Sequence, residues 1–423
     1  MDKVVKAQLV ELFPIRSPAV LTGHMDYVTS VAFDPRGMYL ASGSYDRTVR
    51  IWEVASQQEV AVLRGHLSPV TSVAFDPSGM YLASGSLDKT ARIWNVRTQQ
   101  QVAYRTHTGS VCSVAFDPSG KYLASGSYDD TVRIWDVNSL QVAKLTGLNA
   151  VNSVAFDPSG KYLAAGGDKV RIWDVSTRQN VAELTGHTSS VMSVAFDPSG
   201  KYLASGSRDN TVRIWEFTPD SGFFSKKWRQ VAQLNGHTNC VNSVAFDPSG
   251  KYLASGSTDK TVRIWDVAAR QQVEELKGKG RVNSVAFDSS GKYLAAGSDN
   301  KTVRIWDVSE IVAAAAAQPP SEIVAAAAAQ PPFEIVAAAA AQPPSEIVAA
   351  AAAAEAERQQ QRRDNPVKKL PQETIQNMMN THDNIYKLEG GSKHKRQRRQ
   401  RSKRRQRSKR RQRSKRRQRS KRK

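Results

Sequence analysis

Apolar and polar residues alternate with a period of two, in short runs, through the first three-quarters of the chain. "VCSVAFD", "KYLASGS", "TVRIWDV" and "LQVAKLTG" follow one another within residues 111–147. Each run is rich in β-branched or aromatic residues and none has a helical period, so each predicts a strand. "PSG" between the first two predicts a type I turn, with Pro at its second position and Gly at its fourth. The same four runs return seven times, marked by Trp52, Trp94, Trp135, Trp173, Trp215, Trp265 and Trp306 at spacings of 42, 41, 38, 42, 50 and 41. Seven four-stranded antiparallel sheets predict an all-β chain folded as a seven-bladed β-propeller.

The seventh unit stops at "TVRIWDV" (302–308) with no fourth run after it. The missing piece stands near the start. "AVLTGH" (19–24) matches "VAVLRGH" (60–66) and "VAELTGH" (181–187). Residues 19–23 are therefore expected to form the outer strand of the last blade and close the ring, which removes an exposed sheet edge.

The pattern GH, then SVAFDP, then D-x-T-x-R-I-W-D resembles the WD-repeat family, over residues 17–308. The resemblance implies a buried hydrogen-bonded tetrad of His, Ser, Asp and Trp in each regular blade. By position these are His24, Ser42, Asp46 and Trp52; His66, Ser84, Asp88 and Trp94; His107, Ser125, Asp129 and Trp135; His187, Ser205, Asp209 and Trp215; and His237, Ser255, Asp259 and Trp265. Blade four has Leu148 and Ala165 at the His and Ser positions and a shorter hairpin. Blade seven has Lys279, Ala296 and Asn300, with Asp299 displaced by one. Both are expected to be less stable than the others.

The repeats sort the chemistry. A residue that recurs in most blades serves the fold, and one that varies is free for recognition. Of the seven histidines, five fall in tetrads, and His382 and His394 lie in the tail. Neither Cys112 nor Cys240 has a metal-ligand neighbour at usable spacing. No Gly-rich phosphate loop joins a strand to a helix. No catalytic residue, metal or cofactor is expected, and the reading is not an enzyme. Arg50, Arg92, Arg133, Arg171, Arg213, Arg263 and Arg304 recur in every blade and read as stems packed between blades with paired heads.

Members of the resembled family mostly bind partners on the face that carries the fourth-to-first and second-to-third connections. The variable positions there supply Tyr27, Tyr45, Leu87, Tyr128, Met192, Arg208 and Arg281. Aromatics and Arg are the usual interface anchors, so a protein or peptide site is expected there, with Arg208 and Arg281 selecting an acidic group. A second candidate is the blade-five insertion "EFTPDSGFFSKKWRQ" (216–230), with Phe223, Phe224, Lys226, Lys227 and Trp228 on the opposite face. A third signal, "WNVR" (94–97), is similar to the W-D-x-R box of substrate receptors of cullin-type ubiquitin ligases.

Charge divides the chain. Net charge is +22, and 21 Lys and Arg with no acid lie between Lys393 and Lys423, which leaves about +1 for the remainder. Residues 1–16 read as an N-terminal extension and 17–308 as the propeller. Residues 309–354 form an Ala/Pro spacer of twelve-residue repeats with a helix beginning near 346, residues 355–391 a polar linker, and 392–423 a polybasic tail. The tail carries Lys393, Lys395, Arg396, Arg398, Arg399, Arg401, Lys403, Arg404 and Arg405 and has nothing apolar to bury, so it is expected to be largely disordered. It predicts non-specific binding to RNA or DNA, with a log–log salt slope of roughly −7 if about eight phosphates are neutralised. A Lys/Arg cluster also suits an importin-type receptor.

The expected function is a scaffold that recruits a protein on the propeller and uses its tail for nucleic acid or nuclear targeting. Two alternatives are a ubiquitin-ligase substrate receptor and a regulatory propeller tethered to anionic membrane, the membrane being the least favoured partner. Only two cysteines, in different repeats, and no signal-peptide run predict a reducing compartment, nuclear or nucleolar before cytoplasmic, and not secretion. Nothing in the pattern assigns an oligomeric state.

Overall fold

The computed structural model describes residues 17–139, 141–218 and 228–309. In blade one the strands Val28–Phe33, Tyr39–Ser44, Thr48–Glu53 and Gln58–Arg64 are hydrogen-bonded in that order, every pair antiparallel. Seven such sheets make the propeller. The second strand of each blade, such as "YLASGS" (39–44), is buried along nearly its whole length because both of its faces meet neighbouring blades.

The last sheet is assembled from both ends of the propeller. Its order is Ala19–Thr22, Thr302–Asp307, Tyr293–Ser298, Val282–Phe287. Ala19 pairs with Ile305 and Thr22 with Thr302. The expected closing strand is present and ends one residue early, because Gly23 turns out of it. Ala19 lies at the end of this sheet away from the GH turn that follows Thr22.

Turn chemistry follows the sequence. Gly120 donates its N–H to Asp117 O at 2.9 Å with φ +71°, the left-handed conformation that glycine adopts without penalty. Sequence reasoning missed the aspartate itself. Buried Asp117 accepts the Tyr122 N–H at 2.6 Å and the Ser119 hydroxyl, so it ties the two strands at the turn.

Blades are joined by hydrogen bonds as well as by apolar packing. Val73 N–H donates to Ser30 Oγ in the preceding blade, and the pattern repeats from Val114 to Ser72, Val154 to Ser113, Val194 to Ser153, Val244 to Ser193 and Val285 to Ser243. Val31 to Ser284 completes the circle. Each core cluster spans two blades: Leu21, Val303 and Ile305 of blade seven pack on Val28, Leu40 and Trp52 of blade one. A Cβ on Gly297 would sit 2.7 Å from Val28 Cγ1, so a side chain there would push the first blade away from the last.

Candidate interaction face

The tetrads form as a relay of hydrogen bonds. Trp52 Nε1–H donates to Ser42 Oγ at 2.8 Å, Ser42 Oγ lies 2.8 Å from His24 Nε2, and His24 Nδ1 lies 2.8 Å from Asp46 Oδ2. One neutral tautomer satisfies the whole chain: Trp gives to Ser, Ser to His, His to Asp. Blades two, three, five and six repeat it with Nδ1–Oδ2 distances of 2.7–3.0 Å. Burial pushes His66, His107, His187 and His237 below the ordinary histidine value, against the pull of their carboxylates. Burial also opposes ionisation of Asp209 and Asp259, but hydrogen bonds from Thr211 and Thr261 and from the histidines hold both at about 2. The serines of these relays are fully buried, so a Ser-His-Asp grouping here offers no hydroxyl to a substrate.

Blade four replaces the relay with packing. Leu148, Ala165 and Trp173 belong to one buried cluster. In blade seven Ala296 and Trp306 are buried together, while Lys279 is exposed. Asn300 takes over the turn: its Oδ1 accepts the Thr302 hydroxyl at 2.7 Å, as Asp46 accepts that of Thr48 at 2.6 Å. The strand arginines have paired heads. Arg171 meets Glu183 at 2.8 Å, Arg263 meets Glu275 at 2.9 Å, and Arg133 donates to Thr106 O at 2.8 Å.

The variable face brings most of its candidates to the surface. Tyr27 is 47% exposed and Tyr45 42%, and their rings pack at 5.8 Å between centroids. Tyr128 is 51% exposed, and its phenol feels the charge of Arg208 from blade five. Burial, together with the neighbouring Cys112, raises the Tyr128 phenol, and burial pushes the Cys112 thiol up to about 12. Leu87 is half-buried and Arg208 exposed. Arg281 is exposed but already lies 3.6 Å from Asp299. Blade four has Gly167 where blades one and three have Tyr45 and Tyr128, and its second and third strands are joined through residues 167–169 alone.

One candidate, Trp228, is corrected. Met192 is half-buried, at a position where other blades reach across to their neighbour. At the same position Thr29 donates to Val70 O at 2.6 Å, Asn152 to Val191 O at 3.0 Å and Asn283 to Val28 O at 2.9 Å. Trp228 is core: only 5% exposed, it packs on Phe217 at 5.2 Å and Phe196 at 5.9 Å. The larger Phe217, where most blades have Val, leaves an apolar face that the indole covers. Phe223, Phe224, Lys226 and Lys227 lie outside the described residues, as do residues 1–16, the spacer, the linker and the tail cations.

On the opposite face the channel opens into a cavity of about 430 Å³, lined by seven Phe-Asp pairs with Pro, or Ser289 in blade seven. Its aspartates are engaged by their own turns, as at Asp117 and at Asp76, which accepts the Tyr81 N–H at 2.7 Å.

Seven four-stranded sheets, tetrads and blade joints of this kind define a WD-repeat propeller. The chain belongs to the family described as "WD domain, G-beta repeat", whose model matches residues 15–53, 57–95, 98–136, 140–174, 178–216, 228–266 and 270–307. It is similar to "Ribosome biogenesis protein ERB1" of Scheffersomyces stipitis, 46% identical over 48 residues, which is 11% of this chain and 6% of that protein. It is also similar to "Ribosome biogenesis protein BOP1 homolog" of Drosophila virilis, 43% identical over 56 residues, 13% of this chain and 7% of that protein. The chain therefore aligns with only a small part of these relatives' length.

Proposed function

We propose that this chain is a non-enzymatic scaffold that recruits a protein or peptide on the rim of its propeller and uses its basic tail to engage RNA or DNA, or an import receptor. The observation that carries the reading is the exposure of Tyr27, Tyr45, Tyr128 and Arg208 on one face of a ring whose His, Ser and Asp side chains are taken up by structural relays. Exposed aromatics on a rigid frame bind with little loss of conformational freedom. The names of the partial relatives support a nuclear or nucleolar setting for this chain.

The test is affinity capture with the full chain, with chain 1–391 and with a Tyr45→Ala/Leu87→Ala/Tyr128→Ala variant, each with and without nuclease treatment. The rim variant should lose its protein partner while keeping its melting temperature. Loss of the tail should abolish capture of nucleic acid or of an import receptor and leave the rim partner bound. A rim variant that captures everything the parent captures rejects the recruiting role.

A further inference from the structure

Ring closure makes neighbours of cations that are far apart in sequence. Lys260 of blade six, Lys301 of blade seven, Arg47 of blade one and Lys89 of blade two occupy one equivalent position, at the tip of the hairpin between second and third strands. All four have left-handed backbone, with φ of 73°, 70°, 71° and 70°. Asn is enriched at such positions. Here each residue closes the turn through its backbone N–H, which donates to Ser257 O, Ser298 O, Ser44 O and Ser86 O at 3.1–3.2 Å. All four are exposed, and none forms an ion pair among the described residues. Lys279, also exposed, adds a fifth charge in blade seven. The arc stops abruptly. Blade three has Asp130 at the tip position, blade four has only Asp168 and Lys169 in its shortened loop, the latter paired with Glu183, and blade five has Asn210.

Within the arc lie the largest apolar exposures of the rim: Met25 at 75%, Leu67 at 76%, and the Tyr27–Tyr45 pair. We infer that this arc, on blades six, seven, one and two, receives an extended acidic segment of a protein partner, whose apolar side chains seat on Tyr27, Tyr45 and Leu67. The inference rests on the recruiting role and assigns that partner its chemistry. Unpaired cations in a row complement an acidic strand and would repel a basic one. The two tyrosine rings pack against each other at 52° and leave no slot for a base between them, which favours peptide over single-stranded nucleic acid.

The probe is a fluorescent twelve-residue peptide of Glu interleaved with Leu and Phe, compared with its Gln-for-Glu counterpart and with a twelve-nucleotide oligouridine. Anisotropy is read with the full chain at constant salt. Replacing Arg47, Lys89, Lys260 and Lys301 with Gln should weaken the Glu peptide about tenfold, in keeping with a few tenths of a kcal/mol per exposed charge. Replacing four tail cations (Lys403, Arg404, Lys409 and Arg410) with Gln removes the same net charge and should change it less than about twofold. Equal losses from the two quadruple variants overturn the inference, as does an oligouridine that responds to the arc variant while the peptide does not. If the Gln peptide binds as well as the Glu peptide, and both are lost on Tyr45→Ala/Leu87→Ala/Tyr128→Ala, the acidic assignment falls and the recruiting role stands.

Discussion

Val31 N–H donates to Ser284 Oγ at 3.0 Å across 253 positions of sequence. This bond joins the first blade to the last, and six equivalent bonds join the other neighbours. Ser284→Ala should cost about 0.5–1.5 kcal/mol, as should Ser113→Ala inside the ring. Deleting residues 1–23 should lower the melting temperature far more than either, because it bares a sheet edge and uncovers the cluster around Leu21. Deleting 392–423 should leave it nearly unchanged. Equal melting temperatures for the two truncations would contradict the closure seen here.

Blade two has a repairable defect. Its outer strand carries Arg105 where blade one has buried Leu63, as the pairings Ala91↔Arg105 and Val49↔Leu63 show. The facing residue is Ala91 where blade one has Val49, and the Arg105 Nε is buried without a hydrogen-bond partner. Ala91→Val with Arg105→Leu should raise stability by about 1–3 kcal/mol. Urea denaturation of the double variant checks it, and an unchanged or lower midpoint refutes it.

The relays predict acid sensitivity in two stages. His66, His107, His187 and His237 bind protons less readily when folded, so the unfolded chain takes up more protons as pH falls. Stability is full above the unfolded histidine value of about 6.5 and declines below it. Asp209 and Asp259 have folded values of about 2, so their contribution is present above the unfolded value and is lost as pH falls from about 4 to about 2. Denaturation midpoints measured from pH 8 to pH 3 should fall monotonically. A maximum near pH 5 would show the histidines charged in the fold.

The tryptophans should not be equivalent. Trp135 Nε1 donates to Ser125 Oγ at 2.7 Å, whereas Trp173 stands in a blade whose Ser position is Ala165. Trp135→Phe should therefore cost about 1 kcal/mol more than Trp173→Phe. Trp228→Ala should cost about 3–5 kcal/mol, as a core truncation does. Calorimetric scans of the three variants rank them.

Seven copies of one strand pattern, and the stray "AVLTGH" at 19–24, were enough to derive the strands, the blade count and the closing strand, because alternation and turn residues act over a few positions. The tetrads were assigned through the resemblance to WD repeats, carried over blade by blade onto the recurring His, Ser, Asp and Trp positions. Three things depended on the assembled ring. The serine of "SVAF" looks like one more alternating residue until the next blade's valine N–H meets it. Trp228 looks like an exposed aromatic until Phe217 and Phe196 are placed beneath it. The cations at 260, 301, 47 and 89 lie more than two hundred positions apart at their extremes, and only closure sets them in one arc. Local pattern fixes which backbone groups pair along a blade. Contact between blades is set by a rotation accumulated around the whole ring, and no stretch of sequence contains it.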